Sequence, residues 1–182
     1  MEDFDVSVNG EWISEVTGAI LVSRSIPGLP EAKENTVEIA ERDGEIDFGS
    51  TYGARPVGLG FFIVGDYDTT VSLLMRKFNT RRGVLDLVFS DRPGKHYFAQ
   101  YRGTMSWDES TGNRVIEIPL KMYDPFPESN EKITELTITQ SPQVISIQSI
   151  GDERASPLIV LTNNGTTTLQ SFKIQNEYLV EG

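Results

Sequence analysis

Residues 57–78, VGLGFFIVGDYDTTVSLLMRKF, contain the two patterns that decide the fold. From Val57 to Ile63 every second residue is apolar, which is the period of a β-strand with one buried face. Gly58 and Gly60 lie inside this strand, where glycine is typical of a bend or a close backbone approach. The sequence therefore predicts a strand that leads directly into the segment that follows.

The second half of this stretch predicts the one convincing helix of the chain. Its apolar residues have the spacing i, i+3, i+4 and i+7 of a helix packed on a core: Val71, Leu74, Met75 and Phe78. Asp68 or Thr69 is a suitable N-cap. We expect Val71, Leu74 and Phe78 to lie in the core.

Four cations crowd the end of this helix and the residues after it: Arg76, Lys77, Arg81 and Arg82. Positive charge is favourable near a helix C-terminus, because the carbonyl ends of the peptide dipoles point there. The helix itself therefore explains the cluster, or the cluster contacts an acidic surface of a neighbouring molecule.

Segments with two-residue periodicity lie on both sides of the helix, so the chain is predicted to be mainly β. They occupy residues 4–8, 12–13, 19–22, 57–64, 84–89, 96–101 and 115–123. Asn9-Gly10 favours a tight hairpin turn after the first of them, because both residues tolerate a positive φ angle.

Residues 24–55 differ from the other segments, because prolines and glycines interrupt them while apolar residues continue. Residues 36–39 are their one clear strand-like piece. Long loops inside compact domains are uncommon and are often functional. The segment is either a loop folded over its own core or an arm that packs on a neighbouring subunit. For an arm, we predict these interface residues: Leu29, Ile39, Ile46, Phe48 and Tyr52.

The composition changes after residue 135. Residues 136–182 hold six charged side chains, whereas the preceding 135 residues hold 37. We predict three parts: an N-terminal domain at 1–127 with its arm at 24–55, a linker at 128–135, and a β-rich segment at 136–182. Four short strands are expected towards the C-terminus, at 135–139, 144–150, 158–161 and 169–174. About 50 residues are few for an independent core, so this segment leans on the first domain or belongs to a larger one.

Composition excludes several classes of function. The 182 residues include 16 basic and 27 acidic side chains, and the net charge of −11 disfavours wrapping of a nucleic acid backbone. The absence of cysteine excludes disulfides, zinc-thiolate sites, iron–sulfur clusters and thiol nucleophiles. The apolar runs are far shorter than the roughly 20 residues of a membrane span. The acidic start, Met1-Glu2-Asp3, lacks the pattern of a signal peptide, so we expect synthesis in the cytoplasm.

Candidate catalytic groups are few. His96 is the single histidine, and beside a carboxylate it would have the chemistry of a general base, although a structural role near a hairpin turn is more common. Gly58-Leu59-Gly60 lacks the third glycine of a dinucleotide-binding motif. We therefore expect no catalytic residue, no metal site and no cofactor.

Three short motifs follow one another in an informative order. The arm holds Arg42-Asp43-Gly44, a turn before Tyr97 holds Asp91-Arg92-Pro93, and the last long strand leads into Asp124-Pro125-Phe126. With this order, residues 4–127 resemble the N-terminal domain of the distal tail proteins of long-tailed (siphovirus-type) bacteriophages.

The resemblance implies a β-sandwich or barrel with one α-helix, related to tail-tube folds, followed by a galectin-like module. It implies a hexameric ring that joins the tail tube to the baseplate or receptor-binding apparatus and lets double-stranded DNA pass without specific binding. The implied partners are further copies of the chain and other tail proteins of the virion, with no membrane anchor. Because the family's second module is normally larger than residues 136–182, we expect a truncated chain or a reduced module.

An acidic channel would suit the passage of DNA, since carboxylates repel phosphates whereas a cationic wall would bind them. Two other functions stay open at this point. One is a monomeric β-sandwich that binds carbohydrate or protein, and the other is a hydrolase that uses a pair of carboxylates.

Overall fold

The computed structural model describes residues 4–105, 114–148, 151, 153 and 155–177. The chain divides into two units, Met1–Ile138 and Thr139–Gly182, each of which is described by itself. All the regular secondary structure of the described residues lies in the first unit.

Strands dominate the described part of the first unit. They are β1 (Val6–Val8), β2 (Glu11–Trp12), β3 (Ala19–Ser25), β4 (Ala32–Glu38), β5 (Glu45–Tyr52), β6 (Arg55–Ile63), β7 (Leu85–Phe89), β8 (Lys95–Tyr101), β9 (Val115–Met122) and β10 (Glu128–Ser129). The helices are α1 (Ile13–Thr17), α2 (Tyr67–Lys77) and a short 3₁₀ helix (Thr80–Arg82).

Eight strands form one antiparallel sheet in the order β2-β1-β7-β8-β9-β6-β3, and β10 pairs with β8 outside that path. The longest ladder joins β6 to β9, from Arg55 opposite Met122 to Phe62 opposite Val115. Strands β4 and β5 pair with each other in a separate two-stranded sheet. The predicted fold class, mainly β and consistent with a β-sandwich, with one main helix, is confirmed.

The core lies on one face of the eight-stranded sheet, where alternate side chains of the long strands point inward. In β7 the buried residues are Leu85, Leu87 and Phe89, while the residues between them are half-buried. Helix α2 covers this face with Val71, Leu74 and Phe78, as its apolar stripe predicts. The Phe78 ring packs on Phe61 of β6 with 5.7 Å between the ring centroids.

Two local predictions are wrong. Helix α2 is capped by Asp66, whose carboxylate accepts a hydrogen bond from the Thr69 backbone N–H at 2.9 Å, and not by Asp68 or Thr69. Asp66 takes this role because it is the last residue with an extended backbone before the helix. The strand expected at residues 12–13 ends at Trp12, since Ile13 begins the single turn of α1.

The second unit has no helix or strand among its described residues. The four strands expected at 135–139, 144–150, 158–161 and 169–174 are not formed among the described residues of either unit, and residues 149 and 150 lie outside the described part. Val144 and Leu158 are 93% and 89% exposed. Apolar residues in a short polar segment favour a strand only where another strand or a core is available to pair with them.

Candidate assembly interface

Strands β4 and β5 form a hairpin, called the arm below, that pairs with itself and not with the eight-stranded sheet. Its register places Ala32 opposite Tyr52 near the base and Glu38 opposite Glu45 near the tip. Strands of seven and eight residues at about 3.4 Å per residue give an arm of roughly 25 Å. The segment is thus a paired β-hairpin, of which the sequence predicted only residues 36–39.

One face of the arm is apolar, because successive side chains of a strand point to opposite sides. Val37 lies opposite Ile46, and Phe48 follows Ile46 at even spacing on the same side. A bulge in β5 after Asp47 reverses the alternation, so Tyr52, which lies opposite Ala32, is on the other side. We call Val37, Ile46 and Phe48 the apolar face of the arm. Val37 and Phe48 are 50% and 68% exposed, so this face is not covered within the described chain.

The end of the arm is strongly acidic. It holds Glu38, Glu41, Asp43, Glu45 and Asp47, and Arg42 is the one cation among them. We call the five acids the acidic end. Glu38 and Glu45 are directly opposite each other, an arrangement of like charges that destabilises a hairpin. None of the five acids has an ion-pair partner within the described residues.

The base of the arm is fixed by Arg55, which is only 9% exposed. Its Nε donates to the carbonyl oxygen of Pro27 at 2.8 Å, and Nη2 donates to the carbonyls of Pro27 and Gly28, the latter at 2.8 Å. Its Nη1 donates to the carbonyl of Pro125 at 3.2 Å. One guanidinium thus joins the segment that enters the arm to the segment that follows β9.

Two further contacts close the arm base. The Gly53 backbone N–H donates to the Glu31 carbonyl at 2.7 Å. The ring of Tyr52 packs edge-on against Phe126 with 5.6 Å between the centroids. The Asp124-Pro125-Phe126 motif therefore supports the arm through a carbonyl and a ring.

Replacing Arg55 by lysine should lower the free energy of unfolding by about 1–3 kcal/mol, because a single ammonium cannot replace the planar fork that reaches three carbonyls. Chemical denaturation would measure this loss, and hydrogen exchange at the Gly53 amide would show a loosened base. Arg76→Lys is the matched control, since Arg76 is exposed and should change stability by less than about 0.5 kcal/mol. Equal effects of the two variants would contradict the assigned role.

The other two motifs lie in turns. Arg42-Asp43-Gly44 forms the tip of the arm, where Gly44 has a φ of 81°. Asp91 and Pro93 lie between β7 and β8, and both oxygens of Asp91 accept from Arg24 at 2.7 and 2.8 Å. The hydrogen bond from Arg24 is the main cause that lowers the pKa of Asp91. The Arg24–Asp91 pair holds the turn against β3 and is structural.

Of the predicted interface residues, the structure brings Ile46 and Phe48 onto one face, while Tyr52 lies on the other face at the arm base, against Phe126. Leu29 and Ile39 lie outside the paired strands and are 70% and 46% exposed. That these five residues contact a neighbouring subunit remains a prediction.

The sequence pattern did not indicate that Arg55 and Phe126 fix the arm base. An arginine that begins a strand with alternating buried residues is the signal that would have indicated burial of Arg55.

His96 is held from both sides. Its Nδ1 lies 2.9 Å from both carboxylate oxygens of Asp86, and its Nε2 lies 2.8 Å from Oδ1 of Asn130. The hydrogen bond with Asp86, followed by that with Asn130, raises the pKa of His96. Both ring nitrogens therefore have partners, and the residue joins β7, β8 and the segment after β10, which is the structural role expected near this turn.

Within the described part of the chain, no group of three or more His, Asp or Glu side chains is placed to hold a metal ion. The helices among those residues are too short and too polar to cross a membrane.

Residues 9–122 match the model of a protein family described as the phage tail protein RIFT-related domain. The chain belongs to this family. The match covers most of the eight-stranded sheet and the whole arm. A family of phage tail proteins indicates a structural role in the phage tail.

Among solved structures, the chain is similar to the Dit protein (gp 19.1) of phage SPP1, described as a paradigm of the hub adsorption apparatus in phages that infect Gram-positive bacteria. The TM-score is 0.55 at 17% identity, over 67% of this chain and 50% of the SPP1 protein, so the likeness concerns the fold. The chain spans about half the length of that relative. None of the curated proteins compared with the chain matches it. The family match and the shared fold confirm the resemblance to distal tail proteins.

Proposed function

We propose that the chain is a ring-forming subunit of the phage tail tip. In this proposal six copies join through their arms into a ring that connects the tail tube to the baseplate or receptor-binding apparatus. Double-stranded DNA passes through the ring without specific binding.

The exposed apolar face of the arm is the observation that carries the proposal. A two-stranded hairpin is marginally stable in water by itself, and a hairpin with exposed aromatic and β-branched residues gains stability when that face is covered. A surface shared between identical copies would cover it in every subunit at once. The family membership supports this reading, since tail proteins act as parts of an assembly.

A ring follows from such a contact when the arm of one copy packs on a different surface of the next. Contacts of this head-to-tail type close into a ring if the rotation between neighbours divides the circle evenly. The arm has the required form, because it is a separate sheet that extends from the rest of the first unit.

The second unit would supply the attachment to other tail-tip proteins. Its apolar residues are largely exposed, as Val144, Leu158 and Phe172 illustrate at 93%, 89% and 71%. Such residues favour a partner that provides a strand or a core. We propose residues 136–182 as the part that meets the baseplate or receptor-binding proteins, after an N-terminal domain at 1–127 and a linker at 128–135.

Charge supports passage of DNA without capture. Six copies with a net charge of −11 each would carry about −66, and a channel lined by carboxylates would repel the phosphates. A potential map of the assembled ring that shows a cationic channel would contradict this part of the proposal.

Electron microscopy of the purified chain, together with its mass in solution, tests the ring directly. We expect sixfold particles with a mass six times that of the 20.3 kDa subunit. A chain that stays monomeric at high concentration, and forms no ring when tail-tube protein is added, would contradict the proposed function.

A further inference from the structure

An exposed cluster of arginines surrounds the end of α2. Arg76 lies in the last turn of the helix, and Arg81 and Arg82 lie in the 3₁₀ helix; all three are exposed. Arg76 and Arg81 have no ion-pair partner among the described residues. Lys77, by contrast, is paired with Glu11.

Arg102 extends this cluster and is held in place by neutral groups. Its Nη1 donates to Thr80 Oγ1, its Nε to the Tyr123 hydroxyl and its Nη2 to Gln100 Oε1, each at 2.8 Å. None of these acceptors is a carboxylate. We call Arg76, Arg81, Arg82 and Arg102 the basic cluster.

Among the described residues, none of the four arginines of the basic cluster forms an ion pair with a carboxylate. The nearby carboxylate of Glu11 has a lowered pKa. The main cause is its hydrogen bond with Lys77, and the charge of Arg82 contributes to a smaller extent. The position of these arginines near the C-terminus of α2 explains only part of the cluster, because the favourable effect of the helix dipole falls off within the last turn. Arg81, Arg82 and Arg102 lie beyond that turn.

The arm carries an excess of negative charge, which is complementary to the positive charge of the basic cluster. Its acidic end holds five carboxylates and one arginine, and the opposed pair Glu38 and Glu45 repel each other in the isolated chain. Cations brought close to that pair would relieve the repulsion. The two surfaces thus have opposite charge and lack balancing charge within the described chain.

We propose that the acidic end of one copy's arm docks on the basic cluster of the next copy. This inference rests on the proposed ring and specifies which surface the arm meets. The arm and the basic cluster are different parts of the same chain, so the contact is head-to-tail, as a ring requires. Met75 and Val84, which are 50% and 53% exposed, flank the arginines in sequence and offer apolar contact to the arm.

Charge reversal with rescue tests the inference. Glu38→Lys with Glu45→Lys changes the formal charge of the acidic end, with Arg42 included, from −4 to zero but keeps two like charges opposed, so the stability of the hairpin itself should change little. Arg76→Glu with Arg81→Glu changes the formal charge of the basic cluster from +4 to zero. Each double variant should weaken assembly at least about tenfold at 0.15 M salt, because the attraction between the two surfaces is lost and the substituted residues face like charges across the contact. The quadruple variant should restore assembly to within about threefold of the original chain.

Three controls keep the result interpretable. Glu15→Lys with Glu153→Lys changes the net charge equally at exposed positions elsewhere, and should assemble like the original chain. Arg76→Gln with Arg81→Gln should show a smaller loss in the same direction if the glutamate variant folds poorly. Raising the salt from 0.15 to 1 M shortens the screening length from about 8 to about 3 Å and should weaken assembly of the original chain.

The outcomes separate this inference from the proposed function. Rings that form equally well in both reversed variants, or a quadruple variant no better than either, would overturn the docking surface and leave the ring intact. If the Arg76/Arg81 variant assembles normally but retains less double-stranded DNA, the arginines bind DNA phosphates. That result would also overturn the docking surface. An original chain that forms no ring would overturn both proposals.

Discussion

Replacing Ile46 and Phe48 together by glutamine should abolish ring assembly while the eight-stranded sheet stays folded. Both side chains lie on the apolar face of the arm, and Phe48 is 68% exposed before assembly. Burial of a residue of this size between subunits contributes about 1.5–3 kcal/mol per contact. Because every subunit repeats the contact, the loss recurs at each junction of a ring. Analytical ultracentrifugation and electron microscopy would measure assembly, and circular dichroism would confirm the fold.

The opposite face of the same strands offers the matched control. Thr36→Gln with Ser50→Gln introduces the same two side chains on the face away from Ile46, because Ser50 lies opposite Glu34, which shares its face with Thr36. We expect this variant to assemble like the original chain. If both variants assemble equally, the apolar face is not the subunit contact. Deletion of residues 29–52 should give the same folded but unassembled state. Unchanged assembly after this deletion would refute the assignment of the arm as the contact between subunits.

Replacing Phe78 by alanine should lower the free energy of unfolding by about 3–5 kcal/mol. The side chain is 1% exposed and its ring packs on Phe61, so truncation leaves a cavity between α2 and the sheet. A loss of this size is a large part of the stability of an ordinary domain. Chemical denaturation followed by circular dichroism would measure it.

Met75→Ala on the same helix is the control for this prediction. Met75 is 50% exposed, and its truncation should cost well under half as much, because neighbouring atoms and water already surround the side chain. Similar losses for the two variants would show that burial in the core does not determine the effect.

The sequence predicts the sheet and α2 well, because both depend on local periodicity. The spacing from Val71 to Phe78 and the alternation in β6, β7 and β9 leave one face apolar, and that face is the core in the structure. The helix start was misplaced by two or three residues, since Asp66, Asp68 and Thr69 have similar capping chemistry. Which of them caps depends on where the backbone leaves the extended conformation, which residue type does not specify.

The arm and the C-terminal unit show where periodicity is insufficient. The pairing of β4 with β5 and the bulge between Glu34 and Thr36 decide which residues share a face, and neither is visible in the order of residues. The alternation in 144–150 predicted a strand in the same way as that in β9, but a ladder also requires a partner. The role of Arg55 was hidden because its acceptors are backbone carbonyls of Pro27, Gly28 and Pro125, far apart along the chain.

In the proposed assembly, the facing carboxylates of Glu38 and Glu45 would also affect the copies that have not yet joined a ring. A freestanding hairpin exposes unpaired backbone groups along both outer edges, and such edges invite aggregation with identical edges. Two arms that approach each other side by side bring these carboxylates together, so their repulsion discourages premature pairing. In the proposed assembly the same residues would act as gatekeepers while free subunits accumulate, and the restraint would end only where a surface of opposite sign is presented.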